Sequence, residues 1–318
     1  MSRLATLAVA ILALLLTWPY GCSVAPNSSR GVPPSTQAAP LKVLATTTFL
    51  ADIAQNVAGS RLKVDSLLPV GVEPHSFEPT PGDVAKVADS DLIIANGTGL
   101  EKGYLDRLLG NAGGSHTVVE ASAGLASRTA HPGEMTDADP EGQPDPHFWL
   151  DPNLVLKYVE NIRNALSGAD PEGAQTYADN AQAYSTQLKE LDEWIAEQVQ
   201  QVPPEQRLLV TDHESLGYYA DRYGFEIVGA VIPSLSTEAS PSAQQLVDLL
   251  SRIKASGAKA IFLETRASPQ LAHQVAKEAG VKVVADLYAA SLSEPSGPAP
   301  SYLAMMRHNT RMIVEALK

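Results

Sequence analysis

Four residues of this 318-residue chain carry the donor atoms of a divalent transition-metal site: His75, His147, His213 and Asp286. Three neutral imidazoles and one carboxylate make a donor set that a tetrahedral zinc ion accepts. The intervals between them are 72, 66 and 73 residues, so only a fold that returns several strand ends to one cleft assembles the set. Each follows, or sits within, a short apolar run that reads as a strand, at the point where the chain turns toward a helix. Taken singly, each also has a plain structural reading. His75 fits a surface turn, His147 a packed core histidine, His213 a helix start capped by flanking acids, and Asp286 a turn or cap.

The local contexts favour ligation once the four are taken together. His75 lies in Gly71-Val72-Glu73-Pro74-His75-Ser76-Phe77-Glu78-Pro79-Thr80, where prolines on both sides stiffen the loop and lower the entropy lost on ordering it. His147 sits in Asp145-Pro146-His147-Phe148-Trp149-Leu150-Asp151-Pro152, beside two aromatics that keep water away. His213 is flanked by Asp212 and Glu214, acids placed to orient an imidazole from behind. Asp286 directly follows an apolar stretch of Val and Ala. The remaining histidines fit structural places: His116 at a strand end, His273 in a helix and His308 on the terminal helix. No HExxH, phosphate-cradling Gly loop or GxSxG is present, which removes the common signatures of zinc proteases, nucleotide enzymes and serine hydrolases.

The elements that must position these residues alternate in type. Strands are predicted at 41–45, 62–68, 91–95 and 116–120. Helices are predicted at 49–57, from Thr80-Pro81 onward, and at 100–109; the cap-then-proline pair is a helix-start signature. The rhythm breaks over 124–146, rich in Gly, Pro, Asp and Glu with a single His131 among Glu134, Asp137, Asp139 and Glu141. A loop that long is either functional or unstructured. Helices follow at 152–166 and 171–202, the second stopped by Pro203-Pro204. Strands at 208–211, 225–232, 260–263 and 281–285 then alternate with helices at 215–223, from Ser240-Pro241 to Gly257, and from Ser268-Pro269 to Gly280. A last helix runs over 301–317. Strands alternating with helices specify parallel sheets with crossover helices. The expected fold is therefore α/β, with two lobes each holding a mainly parallel sheet flanked by helices. One long backbone helix joins them, and the metal site lies in the cleft between. The boundaries are an N-terminal lobe over 41–168, the linking helix over 169–203 and a C-terminal lobe over 204–318. Ligands of open α/β sheets sit at the carboxyl ends of strands, where all four candidates fall.

Composition narrows the functional class. A hydrophobic content of 44% with 19% charged residues is that of a soluble globular protein. A formal charge of −13 argues against nucleic acid, whose phosphates need clustered Lys and Arg. The single cysteine, Cys22, excludes an internal disulfide and a thiolate metal cluster. Arg3 followed by an apolar run over 4–18 is too short to span a bilayer, which takes about 20 residues, and reads as a signal peptide over 1–22. Gly21-Cys22 resembles a lipoprotein cleavage site, although Pro19 and Tyr20 depart from the usual residues. Lipidation of Cys22 is expected, anchoring the chain to a membrane surface. Residues 23–40, dominated by Ser, Pro and Ala, read as a flexible tether. The location is extracytoplasmic, in the periplasm or on the outer membrane face, and a monomer is expected.

These contexts resemble one family, the solute-binding proteins of bacterial ABC importers for zinc and manganese. The resemblance covers residues 41–318 and is carried by PHSFEPTP around His75, DPHFWLDP around His147, HESLGYYADRYG from His213 and ADLYAASL around Asp286. It implies that these four positions bind the metal, that two lobes flank it, and that a long helix links the lobes. It implies a permease partner and a non-enzymatic role. The third ligand is His in zinc-type members and often Glu in manganese-type ones, so His213 points to Zn(II) as cargo, with Mn(II) as the nearest alternative. The histidine-rich stretch common in zinc-type members is absent from 124–146, which leaves room for manganese. Two other classes stay open: a zinc hydrolase with Glu214 as base, and a surface adhesin, for which no partner patch is visible.

Overall fold

The computed structural model describes residues 41–128, 144–265 and 269–318. The expected signal peptide, Cys22, the tether, the acidic run with His131, and the cap at Ser268 lie outside the described residues. Among the described residues no helix is long and apolar enough to cross a membrane.

The first half contains β1 (Val43–Ala45), α1 (Thr48–Ala58), β2 (Val64–Ser66), α2 (Pro81–Ala88), β3 (Leu92–Ala95), α3 (Leu105–Ala112) and β4 (Thr117–Glu120). The strands form one sheet in the order β2-β1-β3-β4, every pair parallel. After α4 (Pro152–Ala169) and α5 (Ala174–Val199) come β5 (Leu208–Thr211), α6 (Gly217–Tyr223), β6 (Glu226–Ala230), α7 (Ala243–Ser256), β7 (Ala260–Glu264), α8 (Pro269–Ala279), β8 (Lys282–Leu287) and α9 (Tyr302–Leu317). The second sheet is also all-parallel, in the order β6-β5-β7-β8. The two halves therefore repeat one topology without a visible sequence repeat, and the α/β class is as the alternation predicts.

Departures from the predicted elements have local causes. The helix expected at 100–109 begins only at Leu105, because Gly97, Thr98 and Gly99 all adopt positive φ and form a tight turn ahead of it. The cap of α7 is Ser242 rather than Ser240: its hydroxyl accepts from the Gln245 N–H while the Gln245 side chain returns to the Ser242 N–H, a reciprocal box that satisfies two end donors. The helix expected over 171–202 is shorter, with a 3-10 turn at Pro171–Gly173 before α5.

At 26 residues, α5 is about 39 Å long. Its stripe of Tyr177, Ala181, Tyr184, Leu188, Leu191, Ile195 and Val199 is buried, spaced three and four apart as one helix face requires. That stripe packs into a continuous apolar core that includes Phe49, Ile94 and Trp149 from the first half and Leu209, Phe262 and Met305 from the second. The halves are thus joined by shared packing as well as by chain. Polar ties reinforce this: Gly71 N–H donates to Ser291 Oγ at 2.7 Å, Leu292 N–H to Thr48 Oγ1 at 2.9 Å, and Trp149 Nε1–H to the Ala289 carbonyl at 2.6 Å.

Asp52 on α1 accepts from the Tyr302 N–H at the start of α9, at 2.9 Å. Burial raises its carboxyl to about 6, the hydrogen bond offsetting only part of that effect. An acid raised on folding favours its protonated form, so its contribution to stability falls as pH rises from about 4 to about 6. Asp52→Asn, which keeps the acceptor, is expected to stabilise the chain at pH 7.5 by roughly 1–3 kcal/mol and to leave it unchanged at pH 4. Urea unfolding at the two pH values checks this; no gain at pH 7.5 contradicts it.

Candidate metal centre

Each histidine is delivered by the carboxyl end of a parallel strand or by the loop beyond it. His75 lies between β2 and α2, His147 between β4 and α4, and His213 between β5 and α6. The three come together: one ring nitrogen from each lies within 4.8 Å of the others. His75 Nε2 and His147 Nε2 are 3.3 Å apart. His147 and His213 are each only 1% exposed.

Carboxylates stand behind the His147 and His213 rings and hold the backbone of His75. The Asp145 carboxylate accepts from both the His147 N–H at 2.9 Å and His147 Nδ1 at 2.8 Å, which fixes the ring and leaves Nε2 with its lone pair inward. His213 Nδ1 faces Asp212 Oδ2 and Glu264 Oε1, both at 3.4 Å. Its Nε2 is buried without a protein hydrogen-bond partner, the pattern of an atom whose partner is a ligand. The Glu73 carboxylate accepts from the His75 N–H at 3.0 Å. Trp149 lies under the cluster, 5.2 Å from the His147 ring and stacked on Phe49 at 4.4 Å; it supplies the dry floor that the sequence context promised.

The fourth predicted residue is placed differently. Asp286 lies within β8 rather than after it, and it is exposed, outside the imidazole cluster. Between the pairs Phe262↔Val284 and Glu264↔Leu287 the β8 side carries one extra residue, a bulge, and Asp286 takes a left-handed φ of 69° there. Aspartate tolerates that region better than most side chains. The Asp286 carbonyl accepts from His308 Nε2 at 3.0 Å, so the backbone is engaged at the bulge.

Two acids that sequence reading did not assign are part of the site. Asp145 was legible in principle: an Asp two residues before a backbone N–H forms a local turn, as Asp-Pro-His does here. Glu264, the last residue of β7, obeys the strand-exit rule that found the histidines. His116 is structural, its two ring nitrogens engaging the Ser90 and Gly113 carbonyls at 2.9 and 2.8 Å.

The electrostatics split the imidazoles. Burial, then the neighbouring His147 and His213, lowers His75 to about 2, so it stays neutral and ready to donate. For His213 burial alone would lower the pKa, but the carboxylates of Glu264 and Asp212 outweigh it and raise the group. Glu264 is itself raised by burial and by Asp212, against the pull of His213. This cluster therefore retains protons at neutral pH that a cation must displace. Metal binding at pH 7 is expected to release about one proton, with affinity falling as pH drops. Titration calorimetry in buffers of different ionisation enthalpy measures the release; none at pH 7 would contradict the protonated His213–Glu264 cluster.

A family model described as zinc-uptake complex component A, periplasmic, matches residues 43–316. The chain is 36% identical over 277 residues to the manganese-binding lipoprotein MntA of Halalkalibacterium halodurans, covering 87% of this chain and 88% of that one. It is 34% identical over 273 residues to the iron-binding protein YfeA of Yersinia pestis, covering 86% and 85%. The solved periplasmic zinc-binding protein TroA of Treponema pallidum superposes with a TM-score of 0.78 at 28% identity, covering 88% of this chain and 99% of that one.

Proposed function

Because the chain belongs to the periplasmic zinc-uptake component A family, we propose that His75, His147 and His213 hold a captured Zn(II) ion that the chain delivers to a membrane permease. Extracytoplasmic capture of a divalent metal for an ABC importer is the role of its relatives and of this chain. The observation that carries the zinc reading is the geometry of the imidazoles. Zinc–nitrogen bonds of about 2.0–2.1 Å place tetrahedral donors about 3.3–3.4 Å apart, and His75 Nε2 and His147 Nε2 are 3.3 Å apart. The buried, unpartnered Nε2 of His213 supplies the third donor.

Asp286 completes the set as the fourth ligand in this reading. It sits at the bulge where β8 is already irregular, in a left-handed conformation. A set of three neutral imidazoles and one carboxylate leaves the bound ion about one net positive charge. Four protein ligands would close the coordination shell and leave no open position for a hydrolytic water. The division into lobes at 41–168 and 204–318, joined by 169–203, belongs to the same proposal. So does a lipid on Cys22, which would keep the site beside the permease.

Manganese is the second reading, favoured by a specific observation. Glu264 and Asp212 stand directly behind His213, and manganese prefers more oxygen donors than zinc does. MntA, 36% identical, is named for that metal.

Elemental analysis of the purified chain, followed by zinc–manganese competition, tests the assignment. Zinc is expected to displace manganese at equal concentrations; stable retention of manganese would reverse the order. His213→Ala is expected to weaken zinc binding by at least about 100-fold, removing a donor outright, and Asp286→Ala by at least about 10-fold. Unchanged zinc affinity in either variant removes that residue from the ligand set.

A further inference from the structure

The loops that carry His147 and His213 belong to different halves of the chain, yet a single side chain lies between their supports. Arg128 is only 7% exposed. Its Nη1 is 3.5 Å from Asp145 Oδ2, on the same carboxylate that holds the His147 ring. Its Nε donates to Asp221 Oδ2 at 2.9 Å on α6, the helix that follows the His213 loop. The guanidinium also lies against Gly217, the first residue of α6 and four residues beyond His213; a Cβ there would collide with it. Tyr218 closes the arrangement. Its hydroxyl accepts from the Arg128 N–H at 3.1 Å and donates to the Asp145 carbonyl at 2.9 Å, while the Arg128 guanidinium lies 5.9 Å from the ring centre.

We propose that Arg128 is a positioning residue for the metal site, fixing the separation of the His147 and His213 loops. This inference rests on the imidazole cluster being the cargo site. A guanidinium is suited to the task because its planar fork carries several donors in fixed directions, so it engages two carboxylates at once where an ammonium acts as a point charge. The Asp145 carboxylate and the guanidinium are largely removed from water, whereas Asp221 is partly exposed. On one side the strut bears on Asp145 and, through it, on the direction of the His147 lone pair. On the other it bears on Asp221 and Gly217, and so on where α6 holds the end of the His213 loop. Donor atoms about 3.3–3.4 Å apart tolerate little drift in a tetrahedral site, and partners that orient metal ligands typically change affinity 10–100-fold when removed. Gly217 then has a reason beyond helix geometry, since any side chain there would expel the guanidinium.

The test is a double-mutant cycle read as zinc affinity, by competition with a chromophoric chelator, with apo-chain melting recorded alongside. Arg128→Met is expected to weaken zinc binding at least about tenfold and Asp221→Ala less. The double variant should resemble Arg128→Met alone, because the two act as one unit. Arg128→Lys, which keeps the charge but not the two-ended fork, should recover only part of the loss. A purely structural role would instead lower the melting temperature of the apo chain and leave the zinc affinity of the folded chain at the wild-type value. Gly217→Ala keeps both charges and displaces the guanidinium, so it decides the matter if Arg128→Met does not fold; it too should weaken binding about tenfold. Affinities within about twofold of wild type in Asp221→Ala and Gly217→Ala, or additive losses across the cycle, overturn the inference while leaving the cargo site intact. A wild-type chain that binds neither zinc nor manganese overturns the site and the inference together.

Discussion

Three imidazoles crowded into a largely buried cleft repel one another as soon as any two are protonated. The structure answers this with carboxylates behind two of the rings and on the backbone of the third. Asp145 accepts a hydrogen bond from His147 Nδ1, Asp212 and Glu264 crowd His213 Nδ1, and Glu73 tethers the His75 backbone. Carboxylates behind the rings and lone pairs in front polarise the cluster toward a cation. Without the acids the imidazoles would be an expensive way to fill a core; with them the cluster lacks only positive charge at its centre. The opposed shifts of His75, lowered, and His213, raised, express the same arrangement. The ring lowered by burial and by its two neighbours stays neutral, and the ring beside Glu264 and Asp212 keeps a proton for the cargo to displace.

Holding three loops from two sheets at such spacing demands a stiff frame. The two sheets share one strand order, so their carboxyl ends present equivalent loops, and α5 runs a buried stripe through a core common to both. Ties such as Trp149 to Ala289 and Gly71 to Ser291 cross between the halves next to the site. A frame braced in this way favours capture and release by local movement of a loop over wide opening of the halves. The bulge at Asp286, already in a left-handed conformation, is the local irregularity closest to that need.

Much of this was legible in the chain because it depends on short-range signals. Alternating apolar runs and capped helices specified the α/β class, and strand-end histidines, two of them in Pro-bounded loops, marked His75, His147 and His213. What was missed depends on contacts that have no local signature. The late start of α3 comes from three consecutive positive-φ residues whose turn competes with helix formation. Asp286 follows an apolar run in sequence, but the register shift against β7 places it inside β8, where it is exposed. Glu264 reaches His213 across 51 positions, and Arg128 reaches Asp221 across 93. Neither pairing is predictable without the fold.

If three imidazoles hold the cargo ion, X-ray absorption at the edge of the bound metal detects their rings. With zinc loaded, the expected first shell is nitrogen and oxygen donors at about 2.0–2.1 Å, with the outer-shell scattering of three imidazole rings. A first shell of oxygens alone, with no imidazole scattering, would contradict it.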